Sequence, residues 1–325
     1  MEFISQCSVE TISNAAQSLF DGHMVAFPTE TVYGLGADAT NKKAVSRIYS
    51  VKGRPANHPL IVHISSIDKL EVWAKNIPKY AIELAREFWP GPMTLILPKK
   101  NIAKDFITGG QDNVGLRVPN QPIAQALLKQ FEVLGGFGVA APSANQFGAV
   151  SPTTADAVNE ELGSLFDPND LILDGGPCPI GIESTIVDCT NSKPLIIRLG
   201  FVTPIQIQKL LGLTHIEIVK KSQIRASGEF AKHYSPKALV VINEEPTSGD
   251  GFIALSEVDT PTNVIRLASP RNSNEYAQKL YSALREGDNK NLKRIVVFPP
   301  EGLGLDLAIN DRLAKASSKN IVTQN

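Results

Sequence analysis

The chemistry this chain could perform is concentrated between Asp38 and Asp68, where five Lys or Arg and two His occur without a single carboxylate. The whole chain has a net charge of only -1, so the local imbalance points to an anion. Lys52, Arg54, His58 and His63 are the groups that could meet it. Just upstream, Thr29-Glu30-Thr31 offers hydroxyls and a carboxylate, and Gly34 and Gly36 let the backbone turn tightly or approach a ligand. A charge run by itself is ordinarily a solvated helix face beside a turn. Next to glycines, hydroxyls and histidines, Lys and Arg read better as charge-assisted donors to phosphate oxygens. No Walker-type GxxxxGK string occurs in the chain. The segment therefore indicates phosphate binding without identifying the reaction.

Other candidates lie further along. Ser143 and Asn145 are short polar residues directly after an apolar run, where α/β sheets place ligands, although a plain turn is an equal reading. Arg117 sits inside the apolar run 114–118; its guanidinium must reach water or meet a carboxylate or phosphate, because an unpaired buried charge is very costly. Glu183-Ser184-Thr185 puts a carboxylate and hydroxyls at the start of another strand, either a cleft rim or an edge. His63, within an apolar run, reads first as a hydrogen-bonded core residue. The string from Gly136 to Ala141 matches GxGxxG/A formally, but its apolar residues read as the strand itself, so no dinucleotide fingerprint is assigned. HExxH, GxSxG and Cys/His clusters of metal-ligand spacing are all missing from the sequence.

The elements that must position these residues alternate between apolar runs and amphipathic helices. Ser8 can cap a helix with Ile12, Ala15, Ala16, Leu19 and Phe20 on one face, and Asn41 a second with Ala44, Val45, Ile48 and Tyr49. Strands are expected at 25–27, 60–64, 93–97, 114–118, 137–141, 171–173, 184–188 and 195–199, with helices at 67–75, 79–88, 122–131 and 204–211. This alternation argues for an α/β domain whose sheet hairpins could make mixed. From 220 to 237 the sequence turns polar and irregular, a length of linker that is often functional. Strands at 239–242, 252–255 and 294–298 and helices at 275–285 and 307–316 then indicate a small second α/β domain.

At 325 residues, 42% hydrophobic and 20% charged, the chain can bury a large core and two domains. Near-neutral charge argues against a protein that coats nucleic acid or anionic membrane. Cys7, Cys178 and Cys189 form no CxxC pair, no apolar stretch approaches the ~20 residues of a membrane span, and the start lacks a secretion signal, so the expected location is cytoplasmic.

Several strings occur together and in order: Pro28-Thr29-Glu30-Thr31-Val32-Tyr33-Gly34-Leu35-Gly36, Lys52-Gly53-Arg54-Pro55, Pro142-Ser143-Ala144-Asn145, Val150-Ser151-Pro152-Thr153, Glu183-Ser184-Thr185-Ile186-Val187-Asp188 and His233-Tyr234-Ser235-Pro236. On these the chain resembles the YrdC-like threonylcarbamoyl-AMP synthases, in the long form that adds a linker and a C-terminal Rossmann-like domain. Gly302-Leu303-Gly304 and Ala308-Ile309-Asn310-Asp311-Arg312-Leu313 resemble the end of that long form. The resemblance implies a twisted mixed sheet with helices and an open basic cleft over 1–215, a linker acting as a lid over 216–238, and a smaller Rossmann-like α/β domain over 239–325.

The same resemblance implies an activity: L-threonine, bicarbonate or CO2, and ATP yield threonylcarbamoyl-AMP and pyrophosphate, and a partner transferase uses the product to modify tRNA. Thr31, His63, Arg117, Ser184 and the Ala141 backbone match its threonine-binding positions, which would give Arg117 the threonine carboxylate as its anion. Arg54, His58, Asn113, Ser143, Ser151, Arg198 and Tyr234 match its nucleotide-binding positions. Lys52 and Asn145 complete the K-x-R and S-x-N motifs, with Lys52 and Arg54 acting on the triphosphate. Magnesium is implied on the ATP phosphates rather than in a protein cage. Two departures stand out. Asn113 replaces the usual Thr or Ser, and 227–234 reads SGEFAKHY where the family usually has PGMKYRHY. The alternative is an RNA-binding module with the same groove and no adenylate synthesis; Tyr33 and Tyr49 alone would make it a poor stacking platform. Carbamoyl transfer in hydrogenase maturation is a further alternative, disfavoured by the missing zinc-finger cysteines. For the C-terminal domain the expectation is anchorage of the lid.

Overall fold

The computed structural model describes residues 2–4, 8–219, 224–225 and 234–317. In chain order the first part runs β1 (Glu2–Ile4), α1 (Val9–Phe20), β2 (Val25–Phe27), β3 (Gly34–Asp38), α2 (Lys42–Lys52) and β4 (Ile61–His63). It continues with α3 (Leu70–Trp73), α4 (Lys79–Phe88), β5 (Met93–Pro98), α5 (Asp105–Thr108), β6 (Asn113–Arg117), α6 (Pro122–Val133) and β7 (Val139–Ala140). Then come α7 (Ala155–Leu162), β8 (Leu171–Leu173), β9 (Thr185–Asp188), β10 (Leu195–Arg198), α8 (Pro204–Leu211) and β11 (Glu217–Ile218). These strands form one eleven-stranded mixed sheet, ordered β1-β8-β2-β3-β7-β4-β6-β5-β9-β10-β11. The second part, β12 (Leu239–Ile242), β13 (Gly251–Ile253), β14 (Ile265–Ala268), α9 (Ser273–Asn289), β15 (Arg294–Val297) and α10 (Leu305–Ser317), builds a four-stranded sheet ordered β12-β15-β13-β14. Every pairing in it is parallel.

Local chemistry sets the helix that carries the basic residues. The Asn41 side chain accepts from the amides of Lys43 and Ala44, satisfying orphan donors at the start of α2. Ala44, Val45, Ile48 and Tyr49 are buried on its inner face, as their spacing predicts. Gly53 ends the helix at φ 60°, a left-handed conformation that favours glycine, and leaves Lys52 and Arg54 on either side of the stop.

The two parts share an apolar core. One buried cluster joins Val32, Val150 and Ile182 of the larger part to Tyr276, Tyr281, Leu284, Ile309 and Leu313 of α9 and α10, with Tyr234 among them. No described helix is long and apolar enough to cross a membrane.

Several elements differ from expectation. The strand read at 137–141 is only Val139–Ala140, and the helix read at 67–75 divides into a 3-10 turn over Ile67–Lys69 and the short α3. β3 was hidden because Gly34 and Gly36 read as a turn. A Cβ on Gly36 would lie 2.8 Å from both Phe27 and Val139, so glycine there permits close strand packing. The polar run of α7 and the short β14 with its Arg266 gave no periodic signal. Of the linker, residues 220–223 and 226–233 fall outside the described residues.

Candidate active site

A cleft opens where strands of the large sheet end. β4 and β6 are parallel, and His63 and Arg117, the last residue of each, are register partners. Carboxyl ends of parallel strands are where open α/β sheets present ligand-binding groups. The loop after β2 adds Thr29 and Thr31, the segment after β7 adds Ala141 and Ser143, Ser184 precedes β9, and Arg198 ends β10. Arg54, Glu183 and Tyr234 also line it.

Arg117 is buried and its Nη2 donates to Glu30 Oε1 at 2.6 Å. Glu30 Oε2 also accepts the Asn120 amide at 2.9 Å. The buried guanidinium therefore has a protein counter-ion, while its Nε has no hydrogen-bond partner among the described residues. His63 beside it is buried, and its Nδ1 has no partner among the described residues either. Burial, reinforced by the Arg117 charge, pushes the His63 imidazole down to about 3. At neutral pH it is an uncharged ring lying edge-on to Phe27, with centroids 6.0 Å apart.

Across the cleft Arg198 donates through Nε and Nη2 to the Ser184 carbonyl, at 3.0 and 2.8 Å, and through Nη2 to Ser184 Oγ at 3.0 Å. Ser184 Oγ also pairs with Thr94 Oγ1 at 2.8 Å. Arg54 Nη2 donates to the Pro59 carbonyl at 2.9 Å. Burial is the main cause lowering both guanidinium groups from their usual range, Arg54 to about 10. An anion between Arg54 and Arg198 would relieve the cost of desolvating two like charges.

The structure brings Thr31, Arg54, His63, Arg117, Ala141, Ser143, Ser184, Arg198 and Tyr234 to this one cleft. Asn113 lines an adjoining slot with Pro59, Ile96, Thr108, Ile186 and Arg225; Ile61 is common to both spaces. Lys52, His58, Asn145 and Ser151 line neither space. Lys52 Nζ donates to the carbonyls of Ser143, at 2.6 Å, and Asn145, tying α2 to the Ser143 loop. Burial, with Arg54 nearby, drops its amine to about 7. His58 packs its ring on Phe147 at 5.4 Å. The Asn145 amide donates to the Gln146 and Ala149 carbonyls, and Ser151 Oγ donates to Glu183 Oε1 at 2.6 Å.

Glu30, the ion-pair partner of Arg117, is the cleft residue that sequence reasoning left without a role. The need of Arg117 for an anion was the available signal, but nothing along the chain said which carboxylate would supply it. Tyr281 and Arg312 were missed as well; both reach Glu183 from the small domain.

A family model described as "Telomere recombination" matches residues 17–200, and one described as the C-terminal domain of threonylcarbamoyl-AMP synthase matches residues 202–318. The threonylcarbamoyl-AMP synthase of Pyrococcus abyssi is 40% identical over 327 residues, covering 95% of this chain and 94% of that protein. The chain belongs to the threonylcarbamoyl-AMP synthase family. The Bacillus subtilis member is 36% identical, with 96% of this chain and 94% of that protein covered. The crystal structure of the Pyrococcus abyssi protein complexed with L-threonine superimposes with a TM-score of 0.88 at 38% identity, covering 98% of each chain. As a threonylcarbamoyl-AMP synthase the chain is a nucleotidyltransferase that uses ATP, and its mixed sheet with an appended parallel four-stranded sheet is the fold of the long form.

Proposed function

We propose that this cleft joins L-threonine, CO2 or bicarbonate, and ATP into threonylcarbamoyl-AMP, releasing pyrophosphate, with the two substrates held on adjoining parts of its lining. The observation that carries the reading is the polar floor at His63 and Arg117. Arg117 Nε and His63 Nδ1 have no partners among the described residues, and both side chains line the same space as the buried Arg54 and Arg198. The threonine carboxylate takes the Arg117 side, with Thr31, Ser184 and the Ala141 backbone beside it. Glu30 balances the guanidinium charge before threonine arrives. The α-phosphate and the rest of the triphosphate take the Arg54 and Arg198 side, with Ser143, Ser151 and Tyr234 as further nucleotide positions. The slot at Asn113 takes the nucleoside, with His58 near its entrance.

The neutral amine of threonine attacks CO2: an N–C bond forms as one C–O π bond opens, and the amine proton passes to solvent, leaving the carbamate. A carbamate oxygen then attacks the α-phosphorus, and the bond to the leaving pyrophosphate breaks. Arginines fixed before binding stabilise charge on the phosphoryl oxygens without reorganising as the bond order changes. Lys52 acts by holding the carbonyls of Ser143 and Asn145, which places the Ser143 hydroxyl. The cleft carboxylates Glu30 and Glu183 are each bonded to an arginine; magnesium, if carried in with ATP, would be held by the nucleotide and would supply charge neutralisation at its phosphates. We assign 1–215 as the catalytic domain, 216–238 as the lid and 239–325 as the second domain. The product passes to a cytoplasmic transferase that modifies tRNA.

Pyrophosphate release by the purified protein, assayed with ATP, magnesium, bicarbonate and each amino acid in turn, tests the reading. Release that requires both bicarbonate and L-threonine, and that Arg54→Ala abolishes, is the expected result. Release with a different amino acid would overturn the substrate, and none with any would overturn the reaction.

A further inference from the structure

Arg312 lies on α10, in the small domain, and is fully buried. All three guanidinium nitrogens are engaged. Nε donates to Glu183 Oε2 at 3.0 Å, Nη2 to the Leu199 carbonyl at 2.8 Å, and Nη1 to Asp311 at 2.6 Å. Its planar face covers the Tyr234 ring, 5.1 Å from the centroid. Tyr281 of α9 stacks on the other part of this arrangement, 5.6 Å from Tyr234 and tilted by 21°, and its hydroxyl donates to the same Glu183 oxygen at 2.9 Å. Glu183 Oε1 is in turn taken by Ser151 at 2.6 Å.

We infer that Arg312 is a positioning residue through which the small domain builds the nucleotide side of the cleft. This rests on the reading given above. One side chain spans three separate pieces of that wall. It holds Glu183 and through it Ser151, it fixes the carbonyl of Leu199 next to Arg198, and it forms the surface against which Tyr234 is stacked. A forked planar cation can make two directed bonds in its plane while offering a face to a ring, which an ammonium cannot do. Desolvating such a cation is costly, and the burial is sustained here by Glu183, Asp311 and the aromatic face. The threonine side rests chiefly on a different ion pair, Arg117 with Glu30; its Ser184, tied to Thr94, also takes three hydrogen bonds from Arg198. Loss of Arg312 therefore acts mainly on the nucleotide and reaches L-threonine only through Arg198 and Ser184. The small domain is a wall of the site and not an accessory to it.

The test is calorimetric binding of ATP with magnesium, and separately of L-threonine, to the full chain and to Arg312→Met, Arg312→Lys and Tyr281→Phe. Pyrophosphate release is measured on the same samples. Arg312→Met should weaken ATP roughly tenfold, the scale of one charge-assisted contact, and change L-threonine by less than about twofold. Arg312→Lys should recover only part of the loss, and Tyr281→Phe, which removes one hydroxyl, should weaken ATP about threefold. Should Arg312→Met fail to fold, Tyr281→Phe and Arg312→Lys decide on the same criterion. Equal weakening of both ligands, or unchanged ATP binding, overturns the inference even when the parent protein releases pyrophosphate. Selective loss of ATP binding, in a protein that releases no pyrophosphate with threonine, would uphold the inference and overturn the reaction assigned above.

Discussion

Replacing Glu30 by Gln isolates the electrostatic contribution of the cleft floor. The substitution keeps the shape of the side chain and one acceptor, but removes the charge that faces Arg117. Both partners are nearly inaccessible, with side chains 5% and 6% exposed, and they meet at 2.6 Å. Removing one member of a buried pair typically costs about 3–5 kcal/mol because the other charge stays behind. Since Gln can still accept from the guanidinium or from the Asn120 amide, the low end applies, about 3 kcal/mol. At roughly 2–4 °C per kcal/mol for a domain of this size, the melting temperature should fall by about 6–12 °C. L-threonine brings a carboxylate to the same guanidinium, so a fixed concentration should raise the melting temperature of Glu30→Gln more than that of the parent protein. Differential scanning calorimetry with and without L-threonine reads both effects. A fall of less than about 2 °C, or a threonine-induced rise no larger than the parent's, would refute the assignment of Glu30 as the counter-ion of a carboxylate-binding arginine.

Lys52→Met should show a pH-dependent stability difference. From about pH 7 to the ordinary lysine range near 10.5, the folded Lys52 has lost a proton that the unfolded chain retains, so the parent gains stability relative to the variant as pH rises through that window. A difference in melting temperature that does not change with pH would contradict this. His63 remains neutral well below its usual range, so L-threonine binding measured calorimetrically should be flat from about pH 5 to 8; an inflection near the ordinary imidazole value would contradict it. Gly200→Ala would place a Cβ 2.3 Å from the Thr185 amide and 2.5 Å from the Ser184 carbonyl carbon. Because backbone must move, a loss of about 1–3 kcal/mol in stability is expected, together with weaker L-threonine binding. Full stability with unaltered binding would show that the strand holding Ser184 can yield there freely.

Much of this site was legible because its residues fall in short local strings. Each places one or two functional groups at the end of a strand or the stop of a helix. The Lys52–Arg54 pair around the glycine stop of α2, the Ser143 loop and Ser184 at the start of β9 were all visible in that way. What the sequence does not display is which charge balances which. Glu30 and Arg117 are 87 residues apart, and Glu183 and Arg312 are 129 apart; only folding makes them neighbours. Lys52 shows the same limit from the other side. Its motif suggested direct contact with phosphate, whereas its amine is bonded to two backbone carbonyls. The alternating pattern revealed the α/β class but lost β3 to its glycines and β14 to the charged Arg266 in its middle, since both lack the apolar run that marks a strand.

The most direct test of the central claim is to supply isotope-labelled bicarbonate with ATP, magnesium and L-threonine, and to weigh the adenylate formed. The cleft described here predicts a threonylcarbamoyl-AMP heavier by the one labelled carbon, formed in step with pyrophosphate. An adenylate without the label, or labelled bicarbonate left unconsumed while ATP is cleaved, would contradict it.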